Sequence, residues 1–298
     1  MNTPPLAQFR DTPLASEDLA FHYTSVDASS KIIATRQLRL NHIGAMNDIG
    51  ESMMPPASFS IPKGKDRTNR LLQAQQLQQS IYENNIRIAS FVSGPDSPPT
   101  DMHETPLGSA VHWGTYGRGN QGACLAFSKR ELAITLERLA ACHQETARAR
   151  CKHGPIKYIP TGTPFPAKPT PVPDEAQPHE AWVSQTLDHT AGFASSIGFM
   201  KSGEWAWEKE WRLLFTSLQP GPVMMAVHGS LRAVIAGCRA TIPELSILNL
   251  VASSTGVPMY RMGKSAGSSR YNLHVDSITE RRLMSPGTGS TEPSVKRL

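Results

Sequence analysis

The first part of the chain alternates between hydrophobic and polar positions and then changes to a helical spacing. The stretch "LAFHYTS", residues 19–25, alternates as a half-buried strand does. The following "VDASSKIIATRQ" places Ile32 and Ile33 on one side, and either Ser25 or Asp27 is suited to cap a helix there. "LRLNHI" then alternates again. The pattern predicts a strand, a helix and a second strand.

The rest of the pattern continues this mixture of short strands and helices. Apolar residues recur at helical spacing over residues 66–85, and helices are also predicted over 129–150, over "HEAWVSQTLDHTAGFASSIGFM" and over "TIPELSILNLVAS". Strands are predicted at "IRIASFVS", "ACLAF", "PIKYI", residues 207–215, "VMMAVH", "LRAVIAG", "VPMYRM" and "YNLHVD". Neither GxGxxG after a strand nor a GxxxxGK[ST] loop is present. The fold class is therefore expected to be α+β without a Rossmann domain.

The domain outline follows from two stretches that cannot build a core. Residues 160–178 contain seven prolines and almost no apolar run, which predicts an extended loop or insertion. The last residues, 284–298, are poor in apolar side chains and are expected to be disordered. A single domain over residues 19–275, carrying the Pro-rich insertion, is the resulting prediction.

Composition adds only weak constraints. The chain has 298 residues, of which 39% are hydrophobic and 18% charged, as in a globular protein. The net charge of +5 is compatible with a nucleic-acid or nucleotide partner, and equally with an ordinary basic protein. Four scattered cysteines without a CxxC pair indicate a reducing compartment. With no apolar start and no stretch near the roughly 20 apolar residues of a membrane span, we expect a protein without membrane contact that is cytoplasmic, or else exported by a route that needs no cleavable signal.

The segment "WAWEKEWRLLF" combines tryptophans with charged residues. If residues 207–215 form a strand, Glu208, Glu210 and Arg212 share one face and the tryptophans share the other. One interpretation is a solvent-facing salt-bridge ladder, which contributes little to stability. The other is a buried pair of carboxylates whose pKa values are perturbed for a purpose.

Two further motifs carry side chains suited to a ligand. On a strand, His22 and Thr24 lie on one face and can hydrogen-bond a sugar diol, although a lone histidine is more often a satisfied core residue. Trp113 and Tyr116 are three residues apart, so on a helical turn both can stack on a flat heterocycle. Two core aromatic residues are the simpler alternative.

Taken in order, these motifs resemble a bacterial family designated domain of unknown function 2971. The matching stretches are "HYTS", "MNDIGE", Trp113 with Tyr116, "GACLAF" and "WEKEWR", and the resemblance covers about residues 19–275. The ordered His, aromatic and Glu motifs in turn resemble those of ADP-ribosyltransferases. That resemblance implies a split antiparallel sheet core with flanking helices. The usual third-strand Ser-Thr-Ser of that superfamily is absent here.

The resemblance also implies roles in binding and cleaving NAD. His22 and Thr24 would bind a ribose of NAD, and either Trp113 or Tyr116 would stack on nicotinamide. Three residues of the last motif complete the set: Glu210 as the catalytic carboxylate, Glu208 to select or orient the acceptor, and Arg212 to hold the pair or contact a phosphate.

The function implied is NAD-dependent transfer of ADP-ribose to a protein or nucleic-acid acceptor, in a toxin, effector or phage-defence protein. Two alternatives remain open. One is a nucleotide-binding or interaction module without turnover. The other is a nuclease in which Glu208, Glu210 and Asp48 hold a divalent metal ion, since such ions take carboxylate oxygens.

Overall fold

A computed structural model of the protein describes residues 9, 12–16, 18–45, 59–60, 67–143, 150–163, 170–171, 179–216, 222–264 and 271–275. Within these residues the fold is mixed α+β, with one large mixed sheet and flanking helices, which confirms the predicted class. The helices are α1 (Val26–Thr35), α2 (Arg67–Asn85), α3 (Ala110–Thr115), α4 (Lys129–Cys142), α5 (His179–Ile197) and α6 (Ile242–Thr255).

The described residues also form fourteen strands, which alternate with these helices. They are β1 (Leu19–Thr24), β2 (Gln37–His42), β3 (Phe59–Ser60), β4 (Ile86–Ser93), β5 (Ala123–Ser128), β6 (Arg150–Pro155), β7 (Lys157–Ile159), β8 (Thr170–Pro171), β9 (Met200–Ser202), β10 (Glu210–Thr216), β11 (Val223–Ala226), β12 (Leu231–Ala236), β13 (Met259–Lys264) and β14 (Tyr271–Val275). Ten of them form the large sheet, in the order β11-β2-β4-β1-β5-β12-β13-β14 with β10 joined to β4 and β6.

The two edges of strand β4 pair with different sets of strands. Along one edge it pairs antiparallel with β10 from Ile86 to Val92. Its other edge pairs with β2 at one end, where Ile88 faces Asn41, and with β1 at the other, where Val92 faces Phe21. Between these two pairings, residues 89–91 pair with β10 alone. Strands β1 and β2 therefore separate and leave a gap over the middle of β4.

The opening strand–helix–strand unit forms as the sequence predicts. The side chain of Ser25 caps α1 by accepting a hydrogen bond from the backbone N–H of Ala28 at 3.1 Å, so Ser25 rather than Asp27 is the cap. The buried face of α1 includes Ile33, and the helix packs against α6. Helix α1 and strand β2 thus form one wall over the gap in the sheet.

The predicted strand over residues 207–215 is wrong at its start. Gly203–Glu208 form a 3-10 helix, Lys209 adopts a left-handed conformation with φ 46°, and β10 begins only at Glu210. Trp207 is 38% exposed instead of deeply packed. Trp207 therefore does not lie on the face of a strand. Its ring packs instead against the rings of Tyr116 and His112.

Several other predictions have partial outcomes. Thr170–Pro171, within the Pro-rich segment, pairs in parallel with Phe59–Ser60, while residues 164–169 and 172–178 lie outside the described residues. Residues 284–298, with the predicted disordered tail, and Asp48 also lie outside them. The helix predicted over 129–150 ends at Cys142. In the part of the chain that the structure describes, no helix has the length and apolarity to cross a membrane.

Candidate functional site

The gap between β1 and β2 opens into a cavity of about 750 Å³. Its walls come from β1, α1, β2, the middle of β4 and the segment that leads into β10. Of the residues predicted for the site, those that line the cavity are His22, Thr24, Tyr116, Glu208 and Glu210. Side chains from distant parts of the sequence therefore meet at one place, whereas Trp113 and Arg212 do not border the cavity.

His22 is oriented by the backbone of β4. Its Nδ1 lies 3.1 Å from the carbonyl oxygen of Ser90, and since a carbonyl only accepts, Nδ1 carries the proton. Burial lowers the pKa of His22, with the hydrogen bond to Ser90 opposing this in part. The imidazole is therefore neutral near pH 7, which makes Nε2 a hydrogen-bond acceptor. Thr24, two residues further along β1, lines the same cavity.

The two candidate stacking residues have different surroundings. Trp113 is fully buried, its Nε1 donates to the carbonyl of Leu107 at 2.9 Å, and its ring packs edge-on against Tyr23. Trp113 is thus a core residue, as the simpler alternative held. Tyr116 follows the last turn of α3 and borders the cavity, and its hydroxyl donates to Glu208 Oε1. Of the two rings, only Tyr116 is placed to meet a ligand in the cavity.

Glu210 is held from behind by Arg212. Arg212 Nε lies 2.5 Å from Glu210 Oε1 and Nη2 lies 2.8 Å from Oε2, which is a bidentate pair. Arg212 is 1% exposed and also donates through Nη1 to the carbonyl of Gly198 at 2.9 Å. Strand geometry explains the pairing, because residues two apart project to the same side. The guanidinium orients the carboxylate toward the cavity without lining it.

The charge of Glu210 is set by competing effects. Burial alone would raise the pKa of this carboxyl, but Arg212 and then Lys201 outweigh it, so the pKa is lowered. Glu210 is therefore ionised at neutral pH. Each carboxylate oxygen has two lone pairs, so the bidentate bond to Arg212 leaves Glu210 able to accept further hydrogen bonds.

Lys201 is a site residue that sequence reasoning missed. Its Nζ lies 2.7 Å from Glu208 Oε2, 3.5 Å from Glu210 Oε2 and 4.7 Å from the centre of the Trp205 ring. Lys201 lies on β9, which pairs in parallel with β7. It precedes Glu210 by nine residues, a spacing that matches neither a strand nor a helical face. No local sequence signal links the two, because β9 and the 3-10 helix bring them together.

Lys201, Glu208, Glu210 and Arg212 form a buried quartet, which we call the charge quartet. Two cations balance two carboxylates, which explains how four charged side chains tolerate burial. Both glutamates are buried, as the second interpretation of the sequence motif expected, although Glu208 reaches the quartet from the 3-10 helix and not from the strand. Among the described residues, no group of three or more His, Cys, Asp or Glu side chains is arranged to hold a metal ion.

Chemically, the cavity offers a neutral acceptor nitrogen, an ionised carboxylate and an aromatic ring around one space. Such a set suits a ligand with hydroxyl groups and a flat ring. Comparison of the chain with protein-family models, curated proteins and solved structures found no match. A function for this cavity therefore has to follow from its own side chains.

Proposed function

We propose that the protein is an NAD-dependent ADP-ribosyltransferase that transfers ADP-ribose to a macromolecular acceptor. The observation that carries the proposal is that His22, Tyr116 and Glu210 border one cavity. These three residues belong to distant segments, and a common location was required by the resemblance to ADP-ribosyltransferases. The cavity volume of about 750 Å³ is also within the range of sites that enclose small organic ligands.

The residues at the cavity match the needs of an NAD ribose. A ribose diol provides hydroxyl donors, and both His22 Nε2 and the Glu210 carboxylate accept hydrogen bonds. Tyr116 provides a ring for the nicotinamide to pack on. Thr24, on the same strand face as His22, adds a hydroxyl that can donate or accept.

The reaction needs a negative charge next to the sugar. The bond between ribose C1′ and the nicotinamide nitrogen breaks, and its electron pair neutralises the pyridinium, so nicotinamide leaves as a neutral molecule. Positive charge then develops on the ribose ring, as in glycoside cleavage. The ionised Glu210 stabilises that charge more strongly than it stabilises the ground state. A nucleophile of the acceptor bonds to C1′ and loses its proton.

Two roles were expected for Arg212, to hold the pair of glutamates or to contact a phosphate, and its position suits the first. It is buried and bonded to both Glu210 oxygens, and it does not border the cavity. Arg212 therefore positions the carboxylate and does not contact a phosphate of the ligand.

The test is nicotinamide release from NAD by the full chain. Glu210→Gln is expected to lower the turnover number roughly 100- to 1,000-fold, the range for losing one electrostatic group that acts in the transition state. The affinity for NAD, measured by calorimetry, should stay largely unchanged. Glu204→Gln is the matched control, because Glu204 is exposed on the same 3-10 helix that carries Glu208.

Other results would select another function. Because both carboxylates of the charge quartet already have cationic partners, the cavity is also suited to hold a nucleotide without turnover. NAD binding by the wild type without nicotinamide release would favour that module. Nucleic-acid cleavage that stops with EDTA and returns with magnesium would favour the nuclease.

A further inference from the structure

Glu208 does not present its carboxylate to solvent. Its Oε1 accepts the hydroxyl of Tyr116 and its Oε2 accepts Lys201 Nζ at 2.7 Å. The residue is 4% exposed. Both oxygens of Glu208 are thus engaged by side chains of the protein itself, and one of these partners is Tyr116 at the cavity wall.

Lys201, like Glu208, is buried and held by several side-chain contacts. Besides its contacts with both carboxylates, its ammonium lies over the Trp205 ring, and the residue is 6% exposed. The backbone of Lys201 is fixed by pairing with Tyr158 on the neighbouring strand. The hydroxyl of that same Tyr158 accepts the backbone N–H of Glu210 at 2.8 Å. Tyr158 therefore holds both Lys201 and Glu210 in place.

We propose that Glu208 is a positioning residue that, together with Lys201, fixes the Tyr116 ring at the cavity wall. Both glutamates border the cavity, and in this arrangement Glu210 acts on the ribose while Glu208 acts through the Tyr116 ring. The inference rests on the proposed function and revises the role that the resemblance implied for Glu208. Tyr116 follows the end of the short helix α3, and its ring packs on the partly exposed Trp207 and against a buried core cluster, so the bond to Glu208 fixes its hydroxyl end.

The two roles of Glu208 predict different kinetics. A residue that orients the acceptor matters for transfer, but not when water is the acceptor. A residue that positions the stacking ring affects both reactions equally, through the binding of NAD. Glu208→Gln is therefore expected to raise KM for NAD about 3- to 10-fold, the effect of one weakened hydrogen-bonded contact, in both hydrolysis and transfer. The turnover number should change far less than in Glu210→Gln.

A double-mutant cycle identifies the contact through which Glu208 acts. Tyr116→Phe keeps the ring and removes only its hydroxyl, so it should raise KM by a similar factor. In the Glu208→Gln/Tyr116→Phe double variant the two effects should not multiply, because both changes act on the same contact. Glu204→Gln again controls for loss of a negative charge on this 3-10 helix.

Three results would overturn the proposal. One is an unchanged KM for NAD in Glu208→Gln, a second is a transfer defect with normal hydrolysis, and a third is a KM effect that multiplies with that of Tyr116→Phe. A wild-type protein that neither binds nor cleaves NAD is the failure of the proposed function instead. In that case the melting temperatures of the same four proteins still decide whether Tyr116 and Glu208 are coupled, and additive shifts would refute the contact.

Discussion

Arg212→Met is the sharpest test of the charge quartet, because it removes one charge and keeps most of the buried volume. In the wild type the two carboxylates balance Lys201 and Arg212. The variant leaves one negative charge uncompensated beside Glu210, which is 7% exposed. Breaking a buried pair in this way costs ~3–5 kcal/mol of unfolding free energy, or roughly 5–8 °C in melting temperature for a chain of 298 residues.

The unfolding free energy lost in Arg212→Met should depend on the charge of residue 210. Glu210→Gln in the Arg212→Met background returns the quartet to neutrality, so the double variant should lose less stability than the sum of the single variants. Urea unfolding of the four proteins measures this coupling. Arg138→Met is the control, because Arg138 is exposed on α4 and its loss should change stability by less than about 0.5 kcal/mol.

The same pair predicts how the stability changes with pH. In the wild type the lowered pKa of Glu210 means that its pairing stabilises the fold above the unfolded-state pKa, and that this contribution is lost as pH falls through the folded-state pKa. Without Arg212, burial is the largest effect and raises the pKa. Glu210 in the variant then takes up a proton on mild acidification, and the stability gap to the wild type should narrow from about pH 7 to about pH 5.

A loss below about 1 kcal/mol in Arg212→Met would refute the burial of an uncompensated charge. Strict additivity with Glu210→Gln would refute the direct pairing. A stability difference between the wild type and Arg212→Met that widens on acidification would contradict the predicted rise in the pKa of Glu210. Each result is independent of whether NAD is the ligand.

Three further variants test other parts of the molecule. His22→Ala should weaken NAD binding about 3- to 10-fold in calorimetry, through loss of one acceptor, and a large fall in melting temperature with unchanged affinity would make His22 a core residue. Ser25→Ala removes the cap of α1 and should cost about 1 kcal/mol in urea unfolding, so an unchanged midpoint would contradict the capping bond. Lys209→Val places a β-branched residue at φ 46° and should cost about 1–3 kcal/mol, whereas equal thermal melts would contradict the left-handed turn.

The elements that the sequence predicts well are those with a local cause. Alternation in "LAFHYTS" predicts that His22 and Thr24 share a face, and both are partly exposed at the cavity while Phe21 and Tyr23 are buried in a core cluster. The hydroxyl of Ser25 is sufficient to begin α1. In both cases the deciding interactions lie within a few residues, so a single sequence contains them.

The features that the sequence does not predict depend on distant pairings. Trp113 and Tyr116 have the same aromatic character, and only the position of the Leu107 carbonyl, which binds the Trp113 indole, separates the core ring from the cavity ring. Lys201 joins the site through a strand pairing that no local pattern records. The strand predicted over 207–215 starts late because ring contacts of Trp207 override an alternation typical of strands.

The cavity combines one contact that a side-chain mutation cannot remove with a wall that mutation can change. The acceptor that orients His22 is a main-chain carbonyl, so replacing the Ser90 side chain leaves it in place. On the opposite wall, α1 contributes Asp27 and Lys31, whose side chains are mostly exposed. Anyone redesigning the cavity for another ligand should therefore treat the Ser90 carbonyl and the His22 ring that it orients as fixed, and build the mutant library on α1.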